Sequence, residues 1–112
     1  MGNGIAIHTR TLLNLNEGSN WYARILNATT LQIWDGASKK LSSDVSWADS
    51  ALSMTNATAT IGGWTLTLPE ELPAGMYYII FYQSASPSSS DSPDMAVYIE
   101  YQRGVARMIY NL

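Results

Sequence analysis

The sequence predicts an all-β protein, an antiparallel β-sandwich of about seven to eight strands with room for one short helix. Three observations lead to this fold class. Apolar and polar residues alternate with a period of two along much of the chain, whereas helical periodicity is scarce. The alternating runs are short and recur at roughly 8–12-residue spacing. Gly, Pro and Asn turns separate them, as in sandwiches and barrels.

The predicted strands follow one another closely. The first well-marked strand begins at Trp21 and ends at the turn residue Asn27, and the next covers residues 31–34 and stops at Asp35-Gly36, a strong hairpin dipeptide. Further strands are predicted at residues 51–59, 64–68, 76–83 and 95–102, with 105–110 as a last short strand or arm. Residues 42–53 are the one place for a helical turn, which Ser43 or Asp44 can cap, and we expect a short helix or a loop there.

The size and composition indicate a single domain over residues 1–112, with an N-terminal arm at about 1–10 and a C-terminal arm at about 105–112. The chain has no cysteine, which excludes disulfides and Cys-type metal sites. Its net charge of −3 includes no basic run, so nucleic-acid binding is not expected. No apolar run approaches the roughly 20 residues of a membrane span, and no signal peptide is expected.

Charged residues make up 13% of the chain, about half the usual share. A low charge suits a surface that neighbouring proteins partly cover, although a polar uncharged surface explains it equally. The predicted core consists of the larger apolar residues on one side of the strands, namely Trp21, Ile25, Trp34, Trp64, Leu66, Tyr77, Ile79 and Phe81.

Residues 76–83 are apolar on both sides of the predicted strand. Tyr77, Ile79 and Phe81 point to one side, and Met76, Tyr78, Ile80 and Tyr82 point to the other. A two-layer sandwich buries only one face of each sheet, so the second face should be a contact surface. We expect the interface residues to be Tyr78, Ile80, Tyr82 and Tyr98, in a homo-oligomer for which a trimer is favoured, with both arms reaching onto neighbours. The alternative is that residues 42–53 cover this face within one chain.

Catalytic residues are not predicted. His8 is the only histidine and lies in a Gly/Asn-rich segment without an acidic neighbour, where a solvated position is expected. Glu70 and Glu71 are adjacent in a turn and should point apart. Asp91 and Asp94 could offer oxygen ligands to calcium, but Asx turns explain them more simply. We therefore expect no enzyme activity, no cofactor and no metal.

The four tryptophans allow two interpretations. Trp21, Trp34, Trp47 and Trp64 could form a sugar-stacking platform, as in carbohydrate-binding sandwiches. Alternatively, they fill the core or an oligomer interface, where each ring buries on the order of 200 Å². The second interpretation is favoured because such residues more often fill a small sandwich core or an oligomer interface.

Several motifs occur in an order that resembles a family of small β-sandwich structural proteins of tailed bacteriophages and prophages. They are IWDG at residues 33–36, LPAGMY at 72–77, Pro87 with Asp91, and YQRG at 101–104. The resemblance covers about residues 20–104. Ser86 stands where the family often has Gly, and Tyr101 stands where it often has Trp.

The resemblance implies a virion structural protein, with a head-decoration (cement) subunit as the expected role. Its expected partners are further copies of itself and virion proteins such as the major capsid protein, and its expected location is the virion. A tail, neck or fibre component is the alternative within this class, and a carbohydrate-binding module is the alternative outside it. No catalytic motif belongs to the family pattern.

Overall fold

The computed structural model describes residues 5–8, 11–14, 21–53, 55–56, 64–83, 95–102 and 104–111. Over these residues the chain forms an antiparallel β-sandwich, so the predicted fold class is confirmed. In chain order the elements are β1 (Ile5–His8), β2 (Thr11–Asn14), β3 (Trp21–Asn27), β4 (Ile33–Asp35), β5 (Lys40–Ser42), α1 (Trp47–Ser50), β6 (Leu52–Ser53), β7 (Thr55–Asn56), β8 (Trp64–Thr67), β9 (Gly75–Gln83), β10 (Met95–Gln102) and β11 (Val105–Asn111).

Eleven strands in the described part of the chain exceed the predicted seven to eight. The additional strands are short, and β6 and β7 have two residues each, too few to display an alternating pattern. The predicted arms also raise the number of strands, because residues 5–8 and 105–111 lie in strands of the two sheets.

The two sheets differ in size. The smaller sheet has the strand order β1-β2-β8-β7. The larger sheet has the order β11-β10-β9-β3-β4-β5, and β6 pairs with β3 outside this path. Its centre is the antiparallel set of β3, β9 and β10, in which Tyr78 lies opposite Leu26 on one side and Tyr98 on the other. The register shifts between Tyr98 and Ile99 where β10 pairs with β11.

The core lies between the sheets. Every second side chain of β3, β9 and β10 points into it. On the side of the smaller sheet, the core contains Leu66 of β8 and Leu68, which follows β8 directly. Seven of the predicted core residues are buried: Trp21, Ile25, Trp34, Leu66, Tyr77, Ile79 and Phe81. Trp64 lies in β8, but its side chain is outside the described residues.

Tyr77 fixes the chain at the start of β9. Its ring is fully buried, and its hydroxyl donates a 2.6 Å hydrogen bond to the carbonyl oxygen of Pro73, four residues upstream. A tyrosine hydroxyl that bonds back to the preceding corner is known from other β-sandwiches as a tyrosine corner. The turn segment LPAGMY is therefore held to the body of the sandwich by one buried side chain.

The hairpin at Asp35-Gly36 exists, but its loop has four residues instead of the two that the dipeptide predicts, because Asp35 pairs with Lys40. Asp35 Oδ1 accepts a 2.9 Å hydrogen bond from the backbone of Ala37, which builds a local turn. Gly36 serves a different purpose. Its N–H donates a 2.8 Å bond to the carbonyl of Asp49, and a Cβ at this position would lie 3.2 Å from the same oxygen.

The predicted helical turn within residues 42–53 is confirmed as α1. Its N-cap is Ser46, whose hydroxyl accepts a 3.2 Å hydrogen bond from the N–H of Asp49. The prediction of Ser43 or Asp44 as the cap is wrong. Ser42 still pairs with Ile33 in β5, so the chain has to bend through the next residues before a helix can begin.

Candidate interaction surface

The outer face of the larger sheet is the side turned away from the core. Along β3, β9 and β10 its residues alternate with buried ones and are partly exposed, apart from Tyr82. It is formed by Tyr22, Arg24, Leu26, Met76, Tyr78, Ile80, Tyr82, Ala96, Tyr98 and Glu100. The predicted interface residues Tyr78, Ile80, Tyr82 and Tyr98 all lie on this face, as the alternation required.

Three of these four residues, Tyr78, Ile80 and Tyr98, form a continuous surface with Leu26, and we call this surface the Tyr78 strip. Tyr78 and Tyr98 lie directly opposite each other, and their ring centroids are 5.1 Å apart with planes tilted by 32°. Leu26 flanks Tyr78 from β3. All four side chains are partly exposed, so they present apolar area and two phenol rings to the outside.

Tyr82 lies apart from the strip because the chain itself covers it. Its exposed fraction is 5%, and the ring of Trp47 packs edge-on against it at 5.1 Å between centroids, with the planes at 86°. The alternative in which residues 42–53 cover the face within one chain therefore holds at this end. The interface prediction for Tyr82 needs an exposed ring, and α1 removes that exposure.

Arg24 holds α1 on the outer face. Its guanidinium carbon lies 4.7 Å from the centroid of the Trp47 ring, a cation–π arrangement. Its Nε donates a 3.0 Å hydrogen bond to Oγ of Ser50, and this fully buried hydroxyl donates in turn to the carbonyl of Trp47 at 3.1 Å. With the Gly36–Asp49 bond, these contacts fix both ends of the helix.

The sequence contains a signal for this covered end. Arg24 is a charged residue at a position where β3 turns an otherwise apolar face outward, and such a residue requires a partner or water. The spacing of Ser46 and Asp49 is a recognisable N-cap pattern directly before Trp47. Together they indicate a capped helical turn that brings an aromatic ring to an arginine.

The other end of the outer face carries one positive and one negative side chain, whose charges cancel. Arg107 of β11 lies opposite Glu100 of β10, and its Nε donates a 3.1 Å hydrogen bond to Glu100 Oε1. These two side chains line an open depression together with Gln102 and Val105. Because the charges compensate each other, this end adds no net charge to the Tyr78 strip.

The residues considered for chemistry do not come together in the part of the chain that the structure describes. Glu70 and Glu71 are both exposed in the turn before Leu72, and Glu71 lies 3.8 Å from Lys39. His8 ends β1 opposite Thr11, but its side chain is not described, and Asp91 and Asp94 lie outside the described residues. Among the described residues, no group of three or more His, Cys, Asp or Glu side chains is arranged to hold a metal.

The described tryptophans do not form a platform at the surface. Trp21 and Trp34 are each 2% exposed in the core, and Trp47 packs on Tyr82 and Arg24. A sugar platform requires two neighbouring exposed rings, which these three side chains do not provide. Within the described residues, the structure also has no helix with the length and apolar character of a membrane span.

Comparisons of the chain with protein-family models, curated proteins and solved structures found no match. The functional interpretation accordingly rests on the outer face and on the sequence motifs.

Proposed function

We propose that this protein is a non-enzymatic structural protein of a bacteriophage virion. Its role in this proposal is that of a head-decoration (cement) subunit, which binds the capsid and stabilises the particle through protein–protein contacts. The observation that carries the proposal is the Tyr78 strip, a partly exposed apolar and aromatic surface on a sheet whose other face already forms the core. The motif order that resembles phage β-sandwich proteins supports the assignment to a virion.

The chemistry of the strip fits a protein partner. Tyr78 and Tyr98 are apolar in the ring and polar at the hydroxyl, and such side chains are enriched in the centres of protein interfaces. Leu26 and Ile80 add aliphatic area beside them. The side chains of the strip carry no charge, so desolvating it costs less free energy than desolvating an ionic surface.

The backbone of the strip is held in a paired sheet before the strip binds. Its residues lie on three hydrogen-bonded strands, and the Arg24–Trp47–Ser50 contacts fix α1 at one end. A surface that is already ordered loses less conformational entropy on association. This property suits a subunit that has to bind many equivalent positions on a particle.

The proposed partners are further copies of this chain and another virion protein, the major capsid protein. Self-association through the strip gives a homo-oligomer, for which we expect a trimer. Nucleic acid and membrane are not among the proposed partners, and no cofactor is required for a role that consists of binding.

The test uses particles of the phage or prophage whose genome encodes the chain. Purified particles should contain the protein, and a particle reconstruction should locate it on the head. Binding of added protein to particles that lack it should fail for the double variant Tyr78→Asp with Ile80→Asp. The matched control is Leu31→Asp, which changes an exposed leucine (62% exposed) outside the strip and should leave binding intact.

Two results would contradict the proposal. Absence of the protein from purified particles, together with glycan binding by the isolated chain, would favour a carbohydrate-binding module instead. Unchanged particle binding by the folded double variant would remove the strip from the contact. Location on the tail, neck or a fibre would keep the virion role and replace the head position.

A further inference from the structure

The two edges of the larger sheet differ in how they are protected. One edge is β5, which has three residues, and the exposed Lys40 lies in it, directly after the exposed Lys39. Short edge strands with lysines discourage pairing with another chain. The opposite edge is β11, which has seven residues and carries Val105 and Ile109 at 54% and 42% exposure.

The β11 edge has few of the features that prevent strand addition. It contains no proline, and its one charged residue, Arg107, is compensated by Glu100 on the neighbouring strand. The register shift opposite Tyr98 and Ile99 affects the second half of the strand, whereas residues 105–108 pair regularly with β10. β1 of the smaller sheet comes close to β11 without pairing with it.

An unpaired edge strand offers hydrogen-bonding groups to a partner. Alternate residues of β11 direct their N–H and C=O groups away from β10, and no described strand accepts them. An added strand would satisfy these groups and would cover part of the exposed Val105 and Ile109 side chains.

We propose that β11 pairs with β11 of a second copy of this chain, antiparallel and about a two-fold axis. In such an antiparallel pair, both copies use the same strand and the same residues for the contact, as a two-fold interface requires. Each copy brings its own Glu100–Arg107 pair, so the approach involves no unbalanced charge. The larger sheets of both copies become one continuous sheet, and the two outer faces lie side by side.

This inference does not rest on the virion role, and it concerns an edge of the sheet, whereas the Tyr78 strip is a face. The two contacts can therefore coexist or occur separately. A two-fold edge contact gives a dimer, and a strip contact on the same subunit would link such dimers further.

The test is sedimentation velocity of the full chain over a range of concentrations. Val105→Lys with Ile109→Lys should weaken the dimer by about tenfold or more, because two lysines at a shared edge repel their symmetry mates. Leu31→Lys is the matched control, since it introduces the same charge at an exposed leucine away from β11, and it should leave the dimer unchanged. Far-UV circular dichroism checks that the variants remain folded.

Hydrogen exchange of the wild-type protein provides a second measurement that needs no variant. Amide protection at alternate residues of β11 should rise with protein concentration, because only pairing of the edge gives these N–H groups a new acceptor. Protection of β11 that does not change with concentration would overturn the proposal, as would a dimer that is equally stable in the lysine variant. A dimer that Tyr78→Asp with Ile80→Asp abolishes and the β11 variant leaves intact would assign self-association to the strip instead.

Discussion

Leu31 adopts a left-handed backbone conformation, with φ of 64°, in the turn after β3. Asn27 enforces this shape, since its Oδ1 accepts 2.9 Å bonds from the N–H groups of Thr29 and Thr30. The backbone of Asn27 also bonds to Leu31 and to Gln32 at 2.8 Å each. A left-handed conformation costs a leucine roughly 1 kcal/mol. The turn is therefore determined by Asn27 and imposed on Leu31.

Replacing Leu31 by Asn should raise the free energy of unfolding by roughly 0.5 kcal/mol, because Asn tolerates this conformation better. Leu31→Val should lower it by roughly 1 kcal/mol, because a β-branched residue is strained at positive φ. Urea unfolding of the two variants beside the wild type measures both effects. Equal stability of all three proteins would show that the turn relaxes without cost.

Tyr77 is the second residue with a specific role. Tyr77→Phe removes the 2.6 Å hydrogen bond to Pro73 and leaves a carbonyl oxygen without its donor. We expect a loss of roughly 1–2 kcal/mol in the free energy of unfolding, with an unchanged denaturant slope. Tyr22→Phe, which changes a partly exposed ring on the outer face, serves as the control and should have little effect.

Burial raises the pKa of the Tyr77 hydroxyl above its ordinary value of 10.0, although a hydrogen bond with Asn27 opposes this shift. The native state then keeps its proton at a pH where the unfolded chain has lost it. The corresponding stability is fully present below about pH 10 and is lost as the pH rises through the native pKa. The stability of Tyr77→Phe should therefore fall less steeply above pH 10 than that of the wild type, as measured by unfolding at several pH values.

The sequence predicts the buried residues well and the strained ones poorly. Alternation identifies Ile25, Ile79 and Phe81 as core because a strand exposes one face to the interior. Positive φ at Leu31 and Lys39 could not be predicted, because neither residue type favours it. It follows from the hydrogen bonds of the two turns.

At the scale of elements, α1 depends on its contacts for stability. Four residues are too few for a helix to be stable by itself. The helix is held by the Ser46 cap, the Gly36–Asp49 bond, and the stack of Arg24, Trp47 and Tyr82. Its position on the outer face is thus a consequence of side-chain packing.

Trp47→Ala should lower the free energy of unfolding by about 2 kcal/mol, since it removes an edge-on aromatic contact and a cation–π contact. The same change should expose Tyr82, which solvent perturbation of tyrosine absorbance can detect. Trp47→Phe keeps a ring at this position and should recover about half of the loss. A Trp47→Ala protein as stable as the wild type would mean that the helix contributes nothing to the fold.

The existence of α1 and of the β4–β5 hairpin was predictable, whereas their details were not. The helix begins at Trp47, directly after its Ser46 cap, and not earlier, because β5 continues to Ser42 through pairing with Ile33 across the hairpin. Gly36, the first residue of the four-residue loop, bonds to Asp49 of α1, which is a contact distant in sequence. Local patterns cannot contain such information.

At the scale of the whole molecule, both sheets share one core. Leu66 comes from β8 of the smaller sheet and Ile79 from β9 of the larger, and both belong to the same buried cluster. Leu66→Ala and Ile79→Ala should each lower stability by about 2–5 kcal/mol. Because neither sheet has a separate core, far-UV circular dichroism and tryptophan fluorescence should follow one coincident transition in each variant. Two separate transitions would show that the sheets unfold independently.

The arrangement of strands in each sheet goes beyond what the sequence predicts. Alternation indicates where strands are, but it does not indicate that β8 pairs with β2 or that β3 lies beside β9. The same limit explains why residues 5–8 were expected in an arm and are found in a strand. Tyr78, Ile80 and Tyr98 lie on one face of the sheet as predicted, because only the period of two was needed to place them together, and a contact through this face stays a prediction.

The docked helix also has an optical consequence. Trp47 and Tyr82 are two chromophores held at 5.1 Å in a fixed, nearly perpendicular arrangement. Aromatic rings in such a defined asymmetric environment produce near-ultraviolet circular dichroism, and rings that rotate freely do not. The pair should therefore contribute to the near-ultraviolet band beside the buried rings of Trp21 and Trp34, and the difference between the wild-type and Trp47→Phe spectra should isolate that contribution. A partner that lifts the helix from the outer face would remove this contribution while leaving the far-ultraviolet spectrum of the strands in place.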